Sequence, residues 1–136
     1  MLPTQRHTTV TTLFLVLTAF VGCDKTPAKP VPVAVGGTVT LDGQLLAEGT
    51  VYFKTVATGA FDTLPVKGGK FEGMAEVGER RVEINAYRIR KLTDDPMGGT
   101  EVKESIIPSR YNAESTLTAT VTAQGPNAFK FEVKTK

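Results

Sequence analysis

Tryptophan is absent from these 136 residues, and histidine and cysteine occur once each, as His7 and Cys23. A lone cysteine forbids an intrachain disulfide, so the fold must hold by its own core even in an oxidising compartment. The 16 Lys and Arg against 14 Asp and Glu are interspersed, with no block of like sign. That balance gives no electrostatic footing for nucleic acid as a partner and assigns the charges to solvated strand faces. No apolar run reaches the roughly 20 residues that a spanning helix needs.

The longest apolar run nevertheless organises the N-terminus. Arg6 and His7 precede it, residues 10–21 form it, and Gly22-Cys23 closes it. A basic flank, a short apolar core and a small residue before the cut describe a secretory signal peptide. With cysteine next, the segment resembles a bacterial lipoprotein signal. Phe20 stands where that pattern usually has leucine, while Val21 and Gly22 fit it. The resemblance implies that residues 1–22 are removed, that Cys23 is lipidated, and that the protein is anchored in the cell envelope, facing the periplasm or exterior. Asp24 resembles the inner-membrane retention signal of enteric bacteria. An ordinary secretory signal with a coincidental cysteine is the alternative.

Removing residues 1–22 takes away Arg6 and no acidic residue, lowering the formal charge from +2 by one, to +1. It also takes away His7, and a lipid would block Cys23. Ser-His-Asp and Cys-His catalysis then cannot be assembled within the chain. Zinc, copper and haem sites that rely on these ligands fall with them. What remains has the length of one domain. Residues 23–33 are proline-rich and predict an extended tether of roughly 3 Å per residue.

From residue 34 onward, a period of two replaces any helical pattern. Val35, Val39 and Leu41 share one face. Val51 and Phe53, then Val82, Ile84 and Ala86, then Leu117, Ala119 and Val121, then Phe129, Phe131 and Val133 repeat the pattern. Weaker strands are expected over 61–66 and 70–74. Asp42-Gly43, Gly68-Gly69 and Gly78 supply turns that need positive φ, and Lys67 to Lys70 reads as a tight hairpin. The expected fold is all-β: a single antiparallel β-sandwich of about seven strands over 34–136, transthyretin-like or immunoglobulin-like. Residues 90–112 read as one long irregular connection. Its second half, with Ile106, Ile107 and Tyr111, is apolar enough to pack back on the body.

Two stretches carry a family resemblance. Gly37 to Phe53, with its G-x-V strand, Asp42-Gly43 turn and second strand, resembles the opening of carboxypeptidase-regulatory-like domains, a transthyretin-like group. Leu45 replaces the usual proline. Residues 107–117 and 125–131 resemble small lipoproteins of planctomycete bacteria. The resemblance implies the sandwich and the anchor, and supplies no catalytic or ligand-binding residues. Physically, Gly37 and Gly49 are expected to permit close backbone approach. Leu45 and Leu46 are expected to plug one end, and Tyr111 to tie the crossover to backbone through its hydroxyl, as corner tyrosines do.

Asp94, Asp95, Glu101 and Glu104 form the local carboxylate cluster. Their spacing matches no EF-hand, and Lys91 and Lys103 dilute their charge, so no metal and no cofactor is expected. Lys67 and Lys70 around two glycines lack both the P-loop spacing and a following helix. The reading is a lipid-anchored, non-catalytic accessory or interaction module. Its candidate surface comprises Asp94, Asp95, Glu101, Arg110, Tyr111 and Asn112, and its partner is an envelope protein or glycan. A carbohydrate- or peptide-processing enzyme using Asp94, Asp95, Glu101 or Glu104 is the alternative.

Overall fold

Apolar alternation builds β1 (Pro32–Leu41), β2 (Gln44–Leu45), β3 (Glu48–Lys54), β4 (Phe61–Lys67), β5 (Lys70–Glu76) and β6 (Gly78–Asn85). It continues with β7 (Tyr87–Lys91), β8 (Glu101–Ser105), a 3-10 turn (Ser109–Tyr111), β9 (Thr118–Val121) and β10 (Ala128–Val133). The structure, a computed structural model, describes residues 29–94, 96 and 98–136. The expected signal segment, Cys23, most of the expected tether and Asp95 lie outside the described residues. Among the described residues no helix is long and apolar enough to cross a membrane.

The main sheet runs β10-β1-β5-β4-β3-β6-β9, with β2 paired to β1. All its pairings are antiparallel except β1 with β10, which is parallel (Gly36 opposite Ala128, Leu41 opposite Val133). This departs from the purely antiparallel expectation. The expected turns hold: Asp42 and Gly43 have φ of 50° and 84°, and Gly68 and Gly69 have 56° and 76°. Two consecutive positive-φ residues suit the twist of a two-residue hairpin.

The sheet is curled. In a flat sheet β3 and β10 would stand four strand spacings apart, roughly 19 Å. Instead the Phe53 ring of β3 lies 5.6 Å from Phe129 and 6.4 Å from Phe131 of β10. Phe71 of β5 stacks on Phe131 at 5.8 Å, so four rings meet in one core with Val39, Val51, Leu64 and Ile84. The curl opens between β4 and β5, which pair only at Val66–Phe71 and Lys67–Lys70, next to their turn.

Two sequence boundaries shift. Pro32 and Val33, expected in the tether, begin β1 opposite Glu76 and Ala75. Proline is tolerated there because β10 joins β1 only from Gly36, leaving Pro32 without a neighbour to receive an N–H. The connection over 90–112, expected to be irregular throughout, contains regular structure at both sides of its first half. Arg90–Lys91 and Glu101–Ser105 belong to a two-stranded ribbon in which β7 pairs with β8, from Tyr87–Ser105 at its base to Lys91–Glu101, while the described residues from 92 to 100 join the strands irregularly. Every residue of β7 is exposed. β7 alternates Tyr87 and Ile89 with Arg88 and Arg90, but this short run is exposed on both faces and so does not stand out as a buried strand does. The second half packs as expected, with Ile107 buried and Ile106 and Tyr111 against the core.

Candidate functional site

The sequence-predicted residues divide between two places. Asp94 lies in the turn beyond β7, at the tip of the arm, and Glu101 opens β8. Glu101 faces Lys91 across the ribbon at 3.8 Å, while Glu104 accepts from Arg88 Nε at 2.9 Å with Arg90 at 3.7 Å. The Arg88 hydrogen bond holds the Glu104 carboxyl below its ordinary pKa. Three residues apart on a strand, Glu101 and Glu104 point to opposite faces. Each thus neutralises a basic neighbour, and the two do not converge as an acid–base pair. Among the described residues, no three His, Cys, Asp or Glu side chains group to hold a metal ion.

Arg110, Tyr111 and Asn112 sit beyond the other end of the arm, on and after the 3-10 turn. Tyr111 Oη accepts from Lys134 N at 3.3 Å, the backbone tie expected for this tyrosine. Arg110 donates to the Lys134 carbonyl, and its guanidinium lies 5.1 Å over the Tyr111 ring. Hydrogen bonding from Arg110 lowers the phenol pKa. Asn112 Nδ2 donates to Ile107 O at 3.3 Å. Arg110 and Tyr111 clasp the crossover to the residue after β10, and Asn112 braces the crossover internally. Glu101 lies four strand residues out from the base of the arm, roughly 13 Å. The acidic and the 110–112 groups therefore do not share one surface point.

At the base of the arm lies a groove of about 460 Å³, lined by Lys54, Arg81, Glu83, Asn85, Tyr87 and Ser105 together with Asn112 and Ala113. Glu83 is 5% exposed, although its place in the alternation assigns it to the solvated face. Lys54 Nζ reaches it at 2.6 Å, and Arg81 donates to its other oxygen. A carboxylate so enclosed needs paired partners, and two cations supply them. Ser105 Oγ donates to Ile107 O at 3.0 Å, which commits that hydroxyl to the local turn. The groove offers polar contacts around a neutralised carboxylate and no nucleophile beside a base.

Arg80, 2% exposed, was equally hidden in the sequence. Its Nη2 donates to Phe53 O at 2.8 Å and Asp62 Oδ2 at 2.7 Å, and its Nη1 to Glu76 Oε2 at 3.2 Å. Glu76 N also donates to Asp62 at 3.0 Å. This cluster fills the gap where β4 and β5 separate, and so holds the curl. The only sequence signal was position: Arg80 shares the parity of Val82 and Ile84, whose side chains are buried.

Glycine packing follows expectation. A Cβ on Gly49 would meet Asn85 O at 2.8 Å, and on Gly37 Phe129 O at 1.9 Å. Leu46 is buried as a plug, but Leu45 is exposed, lying over the Gly69 turn.

The fold and site define an all-β domain, a curled sheet carrying a two-stranded arm and a polar groove at the arm's base. No protein-family model, curated protein or solved structure matches the chain.

Proposed function

We propose that the chain is a lipid-anchored, non-catalytic cell-envelope module, a two-layer β-sandwich of transthyretin-like type that works by binding a partner. The arm is the observation that carries this reading. It pairs with no strand of the main sheet, and it presents Tyr87 and Ile89 on one exposed face. Exposed apolar side chains on a projecting ribbon suit contact with another protein. The pairing of Glu101 and Glu104 with basic neighbours favours recognition over acid–base chemistry. The ring contacts between β3 and β10 support the two-layer description, with β4 and β5 as the seam.

The test joins two readings of the full-length protein in its cell. A clickable fatty acid should label the wild type and not Cys23→Ala, which should also leave the detergent phase. A photo-crosslinker at Ile89 should trap a discrete species that one at Thr63, on the main sheet, does not. Unlabelled Cys23 would remove the anchor, and identical adducts from both positions would remove the arm as the binding surface.

A further inference from the structure

Strand directions sort the loops of this molecule into two unlike ends. Because β3 and β4 are antiparallel, as are β4 and β5, the 55–60 loop lies at the same end as the β5–β6 turn at Val77. The Arg80 cluster, which touches Phe53, Asp62 and Glu76, ties these together. The start of β1 joins them through Pro32 opposite Glu76. The 122–127 connection joins too, since Gly36 N donates to Asn127 O at 2.9 Å.

The two loop tips of this end are uncharged, while Lys29 precedes Val31 and Lys54, Arg81 and Glu79 stand beside Val56. Neither the 55–60 loop nor the 122–127 connection contains a charged residue. It also holds exposed apolar side chains: Val56 is 76% exposed, Val31 70% and Phe61 56%. Beneath it Arg80 pairs with both Asp62 and Glu76, one cation between two carboxylates that keep only partial contact with water. The opposite end carries Lys67 and Lys70 at its hairpin, Asp42, Arg110 and the base of the charged arm.

The chain also reaches the body at the end with the uncharged tips, at Val31. Residues 24–31 between it and Cys23 can span at most roughly 28 Å fully extended. An anchor at Cys23 therefore holds this end within a tether's length of the bilayer, while the other end stands a further β1 length, roughly 33 Å, along the strands. Tethering makes contact intramolecular, so a few apolar side chains suffice where they would not recruit a free protein.

We propose that this end is a membrane-contact surface, with Val56, Phe61 and Val31 seated at the headgroup boundary of the bilayer that holds Cys23. The proposal rests on the lipid-anchor reading and adds an orientation to it: the base of the arm stands at the far end, clear of the membrane. Around these tips the acidic Glu79 is offset by Lys29, Lys54 and Arg81, a mixed-sign rim that suits a zwitterionic surface better than a strongly anionic one.

The test uses the lipidated full-length protein in phosphatidylcholine vesicles. With Cys23 blocked by lipid, an engineered cysteine is the sole free thiol. An environment-sensitive dye at Ala57→Cys should shift to the blue and be quenched several-fold more by nitroxide lipids than the same dye at Lys70→Cys. Adding Val56→Asp should bring the Ala57 signal down to the Lys70 level. Vesicle-bound protein with equal, water-like signals at both positions would overturn the orientation while leaving the anchor standing. Full-length protein that floats free and titrates a thiol at Cys23 would overturn the anchor, and the orientation with it.

Discussion

Gly37 and Phe129 face each other so closely in the parallel β1–β10 pair that a Cβ on Gly37 would lie 1.9 Å from the Phe129 carbonyl oxygen. The obstacle is backbone, which cannot turn aside as a side chain can. Gly37→Ala should therefore cost about 3 kcal/mol, the upper range for overpacking. At Gly36 the nearest atom to a Cβ is Phe71 O at 3.2 Å, so Gly36→Ala should cost less. Urea unfolding of both variants decides the matter, and an unchanged midpoint for Gly37→Ala would refute the close approach.

Arg80 binds acceptors on three strands or their ends, and removing its charge leaves Asp62 and Glu76 without their cation. Both carboxylates keep some contact with water, which relieves part of the penalty. Arg80→Met should cost about 2–3 kcal/mol, below the range for a wholly buried pair. Adding Asp62→Asn should recover part of that loss, read in a double-mutant cycle. Strict additivity would mean that the pair does not couple.

The Asp42 carboxylate accepts from Thr135 N at 2.9 Å and Thr135 Oγ1 at 2.7 Å, and the backbone bond is the main cause of its lowered pKa. A lowered folded-state pKa stabilises above the unfolded value, and that contribution is lost as pH falls through the folded one. The Thr135 amide should stay protected at pH 5 and lose protection as the pH drops below 3.8, the ordinary value for aspartate. Asp42→Asn should flatten that dependence while tolerating the φ of 50°. Amide exchange of the C-terminal residues across this range is the measurement.

Tyr111→Phe removes the acceptor for Lys134 N and keeps the ring on the core. The Lys134 amide should exchange faster while global unfolding barely moves. Tyr111→Ala, which also strips the ring, should lower the unfolding midpoint clearly. Equal effects from the two variants would mean that the hydroxyl, not the ring, holds the crossover.

The arm closes on itself at its base, where Ile106 N donates to Ala86 O at 3.0 Å. Its ion pairs are exposed, and such pairs contribute little to stability. Replacing residues 88–104 by Asn-Gly should leave the β-sheet circular dichroism and the melting temperature of the body essentially unchanged. Loss of the folded body on this replacement would show that the arm is part of the core fold.

The sequence by itself determined the all-β class, most strand positions and the two positive-φ hairpins. Period two with one apolar face requires a sheet with one buried side, and Asp42-Gly43 and Gly68-Gly69 suit the backbone that tight turns demand. It also singled out Gly37, Gly49 and Tyr111, whose roles depend on local geometry. Only the tertiary structure decided that β10 runs parallel to β1, because strand partners distant in sequence leave no mark in local alternation. It alone paired Arg90–Lys91 with Glu101–Ser105 as the end of a ribbon, since a short exposed strand shows too little apolar alternation to mark itself. It alone buried Arg80 and Glu83. A charge reads as solvated until the fold places partners around it: Asp62 and Lys54 arrive from other strands to join the nearby Glu76 and Arg81 and make burial affordable.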